Sequence, residues 1–217
     1  MPNKKQRLII VGASSFGREI ESWLERVPPE SRDWFIGGYV DDNPNTRGVI
    51  DFPSSYELLG TIDDTEFLDD DLCVIAIAEP KYKRNVVAKL KGRVKFFTFI
   101  SSDSIIGKFN IIGEGVVICP GTIVTTNVKI GSFVTVNNSC NIGHDVVVGS
   151  YSSLMGSVTL SGGVSLGNDV YLGSKSTVTP NISIASGSKI GTGSVVIRSF
   201  KEPAVIFGNP AKIIKSI

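Results

Sequence analysis

The segment "NIGHDVVVG" (141–149) holds the only histidine among 217 residues. Imidazole takes up and releases a proton near neutral pH, so a solitary His144 is a candidate general base. Asp145 follows it and could raise its basicity by accepting a hydrogen bond. Neighbouring residues on an extended chain point apart, however, and either could equally be a solvated turn residue. A second stretch with chemical content is "VGASSFG" (11–17), a G-x-x-x-x-G turn. Between a strand and a helix, such a turn exposes backbone N–H groups and a positive helix end to phosphate. It lacks the middle glycine of the dinucleotide fingerprint, which weakens any case for NAD. Asp41 and Asp42 form a third candidate, a pair of acceptors just before Pro44.

Metal chemistry is not expected. One histidine cannot supply a three-histidine zinc site, and Cys73, Cys119 and Cys140 are widely spaced without a C-x-x-C pair. The same spacing argues against a disulfide scaffold and for a reducing, cytoplasmic compartment. Lys plus Arg number 22 and Asp plus Glu 21, giving a net charge of +1. That balance offers neither nucleic acid nor an anionic membrane an electrostatic footing. The N-terminal apolar run, Leu8 to Val11, is too short for an export signal or a membrane span.

Two periodicities divide the chain at residue 100. Before it, "RLIIV" (7–11), "FIGGYVDD" (35–42), "DLCVIAIA" (71–78) and "VKFFTFI" (94–100) read as strands. "FGREIESWLERV" (16–27) gathers Ile20, Trp23, Leu24 and Val27 on one helical face, and "KYKRNVVAKLKG" (81–92) reads as a helix stopped by Gly92. Residues 1–99 are thus expected to form a small Rossmann-like α/β domain.

From Ile100 to Val196 every sixth residue is aliphatic, seventeen positions in succession. A glycine often follows, as at Gly107, Gly131, Gly149 and Gly173, where it is expected to let the chain turn. Two residues earlier the side chain is small or β-branched, as at Val116, Thr122, Cys140 and Val158. A β-sandwich needs turn signals spaced further apart than this short interval. A six-residue period instead fits a triangular parallel β-solenoid, one hexad to a side, of about five coils. No loop interrupts the hexads, so residues 100–217 are expected to form this domain with a C-terminal tail.

The hexads, with "FGNPAK" (207–212) after them, resemble the left-handed β-helix hexapeptide-repeat acyltransferases. "VGASSFGREI", "YVDDNP" and "NIGHDVVVG" narrow the likeness to sugar acetyltransferases of the nucleotide-activated 4-amino-sugar N-acetyltransferase and sialic acid O-acetyltransferase type. The resemblance implies a cytoplasmic homotrimer in glycan biosynthesis, with active sites between neighbouring β-helices and acetyl-CoA as co-substrate. It implies His144 as base, with Asp145 beside it. No free thiol is needed for a covalent intermediate, so direct attack of the acceptor on the thioester is the simpler course, and Asn137, seven residues before His144, is expected to face the same cleft and contact the acceptor. Asn137 equally suits a corner of the coil, since asparagine tolerates left-handed backbone. The resemblance further implies that Ser14, Ser15, Phe16, Asp41, Asp42 and Ala78 meet the nucleotide sugar. Ser153, Gly162, Ser174 and Thr192 would line the acetyl-CoA groove, where Ser153 stands in place of a second family histidine. Arg198, Lys201, Lys212 and Lys215 could meet the CoA phosphates, although solvation is the commoner role of a lone basic residue.

The expected reaction is N-acetylation of a 4-amino-4,6-dideoxy sugar. O-acetylation of a sugar hydroxyl and a non-catalytic nucleotide-sugar-binding trimer are the alternatives. A γ-class carbonic anhydrase is excluded by the histidine count. A nucleotidyltransferase is disfavoured because residues 1–100 lack its glycine- and lysine-rich phosphate loop.

Overall fold

The computed structural model describes residues 5–43 and 54–217. Pro44, which follows the acid pair, lies outside them. The chain forms two compact units and passes from one to the other between Phe97 and Thr98, with Glu79–Lys81 grouped with the second.

The first unit is a parallel sheet of five strands: β1 (Gln6–Val11), β2 (Trp34–Val40), β3 (Leu58–Gly60), β4 (Leu72–Ile75) and β5 (Lys95–Phe96), in the order β3-β2-β1-β4-β5. Leu8, Ile9, Ile10 and Val11 of β1 are at most 1% exposed, as expected for a strand covered on both faces. Helix α1 (Ser15–Glu25) follows β1 and buries Ile20 and Leu24, while Trp23 and Val27 stay half-buried at the rim of the expected face. Helix α2 (Pro80–Leu90) links β4 to β5.

The structure departs from the sequence reading in two places. The segment 94–100 is not one strand: Lys95–Phe96 completes the parallel sheet, and Phe99–Ile100 starts the solenoid. Strand β3 has no clear signal in the sequence, because "YELLG" is short and only half-buried, without the alternation that marks a longer strand.

The second unit is a three-sided parallel β-solenoid. Seventeen two-residue strands from Phe99–Ile100 to Val195–Val196 recur at a constant six-residue interval, and each of the first fourteen pairs with the strand three places further along. They make five coils and two sides of a sixth. The inward aliphatics from Ile118 to Val196 are all at most 3% exposed, and with the small residues two places earlier they form one continuous core. Exposure rises only in the first coil, where Ile100 is 40% exposed and Ile106 and Ile112 are half-buried, because an end rung has a neighbour on one side only. At the other end, Ala204–Gly208 pairs with Lys189–Ile190 and turns back into the antiparallel strand Ala211–Ser216. The GNPA turn of the expected tail motif makes that hairpin.

The corners correct the expectation for glycine. Left-handed backbone occurs at every sixth residue from Phe109 to Gly193, three places after each aliphatic, and ten of these fifteen residues are not glycine. The glycines directly after the aliphatics answer a different constraint. A Cβ on Gly149 would lie 2.4 Å from the carbonyl carbon of Gly167, and one on Gly173 would lie 2.6 Å from the Thr192 nitrogen. They are needed for close stacking of successive coils.

Candidate functional site

In the first unit, the sheet order reverses between β1 and β4, and in open α/β sheets ligands settle beyond the carboxyl ends of the strands at such a switch point. A cavity of about 330 Å³ lies there. Ser14, Phe16, Asp41, Asp42 and Ala78 line it, so five of the six expected substrate residues converge. Ser15 does not line it; the first residue of α1 is exposed, and its hydroxyl accepts a hydrogen bond from Arg18 at 3.3 Å.

Backbone requirements explain the two glycines of "VGASSFG". Gly12 has φ +108°, and a Cβ there would sit 2.8 Å from the Ala76 carbonyl oxygen. A Cβ on Gly17 would lie 2.0 Å from the Gly12 oxygen, so its absence lets α1 close on the turn. Ser14 is the N-cap, yet its hydroxyl makes no capping bond.

Both acids are already engaged. Asp41 accepts the N–H groups of Ala13 and Asn43, each at 2.8 Å, and ties the end of β2 to the turn after β1. Asp42 accepts the Ile62 N–H at 2.9 Å and the Lys89 ammonium at 3.1 Å. Partial burial raises the Asp42 carboxyl, but those two donors outweigh it and hold it below the usual carboxylate range. A carboxylate has about four lone-pair directions, so each acid retains acceptor capacity toward a ligand hydroxyl. Sequence reasoning missed Ile62, Tyr82 and Val86 in the lining and Lys89 behind Asp42. The available signal was "KYKRNVV" after the third expected strand, where the switch point brings a helix onto the cavity.

In the second unit, His144 and Asp145 occupy the corner after the strand Asn141–Ile142. Asp145 has φ +60°, and this left-handed turn brings its side chain onto the adjacent ring, contrary to the expectation from extended backbone. Nδ1 of His144 lies 2.7 Å from Oδ2 of Asp145. The side chains are 67% and 55% exposed. The hydrogen bond from His144, and then that from Asn127, hold the Asp145 carboxyl below its usual range, so it is ionised at neutral pH. With Nδ1 donating to a carboxylate, neutral imidazole presents the lone pair on Nε2.

Gly162, one coil later, is the floor beneath this ring: a Cβ there would lie 2.5 Å from Nε2. Its carbonyl accepts the Asn181 N–H, while its own N–H meets no acceptor among the described residues.

The other expected residues lie elsewhere on the prism. Asn137, Ser174 and Thr192 follow strands of the sheet that contains Thr135–Val136, Tyr171–Leu172 and Lys189–Ile190, and they share a different edge from His144. Asn137 also uses its side-chain oxygen to accept the Asn138 N–H at 2.6 Å. Ser174 is half-buried and Thr192 exposed, but Ser153 is 0% exposed. Ser153, expected along the acetyl-CoA groove, therefore shows no surface in the single chain. Arg198, Lys201, Lys212 and Lys215 are all exposed, and the Arg198 guanidinium lies 5.5 Å from the centre of the Phe200 ring. Among the described residues, no group of three or more histidine, cysteine or acidic side chains could hold a metal ion, and no helix is long and apolar enough to cross a membrane.

Comparison with known proteins places this geometry in a structural class. Residues 7–90 match the family described as the PglD N-terminal domain. No curated protein matches the chain by sequence. Among solved structures, the chain is similar to the acetyltransferase domain of PglB from Neisseria gonorrhoeae FA1090, with a TM-score of 0.84 and 19% identity over 97% of this chain and 100% of that one. It is similar to WeeI from Acinetobacter baumannii AYE, with a TM-score of 0.82 and 26% identity over 97% of this chain and 100% of that one. It is similar also to PerB from Caulobacter crescentus in complex with CoA and GDP-perosamine, with a TM-score of 0.80 and 21% identity over 95% of this chain and 96% of that one. The chain is therefore an α/β domain joined to a left-handed parallel β-helix. More particularly, residues 7–90 carry a PglD-type N-terminal domain, and the two-part build is the one seen in these three solved structures.

Proposed function

We propose that this protein transfers the acetyl group of acetyl-CoA to the amine of a nucleotide-activated sugar, with a 4-amino-4,6-dideoxy sugar as the favoured acceptor. The observation that carries the reading is the His144–Asp145 pair, an imidazole oriented at 2.7 Å by an ionised carboxylate and floored by a glycine. The similarity to PerB, solved with CoA and GDP-perosamine, supports the substrate class. The cavity of the first unit would take the nucleotide, with backbone N–H groups at the start of α1 toward phosphate and the Asp41 and Asp42 carboxylates toward hydroxyl or base N–H donors.

In this mechanism the sugar amine attacks the thioester carbonyl and gives up a proton to Nε2 of His144. The tetrahedral intermediate then collapses with rupture of the C–S bond, and the imidazolium returns the proton to the departing CoA sulfur. The charge on the intermediate's oxygen needs donors, and the Gly162 N–H, which meets no acceptor among the described residues, is suited to that task. Asp145 keeps the base in the required tautomer.

Asn137, Ser174 and Thr192 lie on another edge from His144, so one chain does not bring the expected site together. The proposal therefore includes a homotrimer in which a neighbouring copy supplies that edge. The test is release of CoA thiol from acetyl-CoA with UDP-, GDP- and dTDP-linked 4-amino sugars. Replacing His144 with alanine should lower turnover by roughly 10²- to 10⁴-fold while leaving the circular dichroism spectrum unchanged. Full turnover in that folded variant rejects the assignment, and thiol release only with hydroxyl acceptors would move the chain to O-acetylation.

A further inference from the structure

The corner at Asp145 belongs to a column. Positions one full coil apart stack directly, so Phe109, Asn127, Asp145, Gly163 and Asn181 occupy one edge, all with left-handed backbone. Asn127 lies one coil below Asp145. Its Nδ2 donates to Oδ1 of Asp145 at 2.6 Å, while the other oxygen, Oδ2, faces Nδ1 of His144 at 2.7 Å.

We propose that Asn127 is a positioning residue for His144, the far end of a three-membered chain in which a side-chain amide fixes a carboxylate and the carboxylate fixes the tautomer of the imidazole. The functional importance of that tautomer rests on the transferase reading above. The arrangement itself rests only on these distances.

The physical need is plain. Asp145 is 55% exposed. With a single hydrogen bond, an exposed carboxylate can rotate about χ1 and χ2 into water, leaving Nδ1 without its acceptor. A second bond, to the other oxygen, fixes both torsions. Asn127 is well suited to hold that bond because its own backbone is anchored: its N–H donates to the Lys108 carbonyl at 3.2 Å. The Asp145 N–H donates to the Thr126 carbonyl at 3.2 Å, so the two corners are joined by backbone as well as side chain. Asparagine also adopts the left-handed conformation at φ +57° with little strain. An aspartate at 127 would fit the space but could not donate when ionised, and it would set a second negative charge against the first.

A sole histidine allows a direct test. Long-range 1H–15N correlation spectra report which ring nitrogen carries the proton in the neutral state, and this protein gives one set of ring signals. In the wild-type protein the proton should reside on Nδ1. Asn127→Gly keeps the left-handed corner free of strain and removes the amide; Asn127→Asp keeps the shape and removes the donor. Both should shift the tautomer toward Nε2–H and lower kcat about 3- to 10-fold with KM little changed. The use of two variants means that misfolding of one does not remove the test. A wild-type ring protonated on Nε2, or a tautomer unchanged in a folded Asn127 variant, overturns the proposal. Because the spectra need no substrate, a correct tautomer in a protein without transferase activity would reject the proposed function and leave the role of Asn127 standing.

Discussion

At the scale of single residues, the candidate base depends on what lies under it as much as on what lies beside it. Gly162 leaves the space in which Nε2 sits, and an added methyl would come within 2.5 Å of that nitrogen, well inside van der Waals contact. The flexible ring would swing outward instead of the coil distorting. Gly162→Ala should therefore reduce kcat by roughly 10- to 100-fold with little change in Tm, measured by thiol release and thermal denaturation side by side. The solitary histidine stood out in the sequence, but its pairing with Asp145 did not, because only the left-handed corner at Asp145 brings adjacent side chains together. Asn127 was not legible either, because its relation to Asp145 exists only once the coil of three hexads is closed and positions are compared from coil to coil. Asp41 and Asp42 were legible as acids at a strand end, but the Ala13 and Ile62 N–H groups that they accept come from separate loops that no local pattern joins.

At the scale of elements, the solenoid core was the most legible part, since seventeen aliphatics at a constant interval admit few other folds. The role of its glycines was harder to read. Turning and close stacking both favour glycine, and sequence alone does not separate them. The same small-residue positions explain the thiols. Cys140 fills an inward position of its coil and Cys73 is in β4; both are buried, and burial pushes each thiol up to about 12. Thiolate is the reactive form, so neither should react measurably with Ellman's reagent at pH 8 in the native state. Titration in denaturant should reveal all three cysteines. Rapid native labelling of Cys140 would mean that the coils open locally.

For the whole molecule, the distribution of residues over the prism is informative. His144 and Gly162 share one edge, whereas Asn137, Ser174 and Thr192 share another, and the distinction follows from the sheets to which their strands belong. If neighbouring copies join these edges, inactive variants should rescue each other. Trimers reassembled from equal amounts of His144→Ala and Asn137→Ala protein should regain roughly a quarter of wild-type activity, since each mixed trimer contains one intact pairing of edges. Absence of any recovery, with mixed assembly verified by mass, would place the whole site within one chain.

The closure of each coil in three hexads also constrains how such a protein can change length. Excising a single hexad between His144 and Gly162 would keep every interior aliphatic in phase, and the prism would still fill its centre. The excision would, however, rotate everything beyond it by one side, carrying Gly162 a third of a turn away from the imidazole. Only losses or gains of whole turns preserve both the packing and the vertical alignment on which the chemistry depends, so the molecule is free to grow in steps of one size and no other.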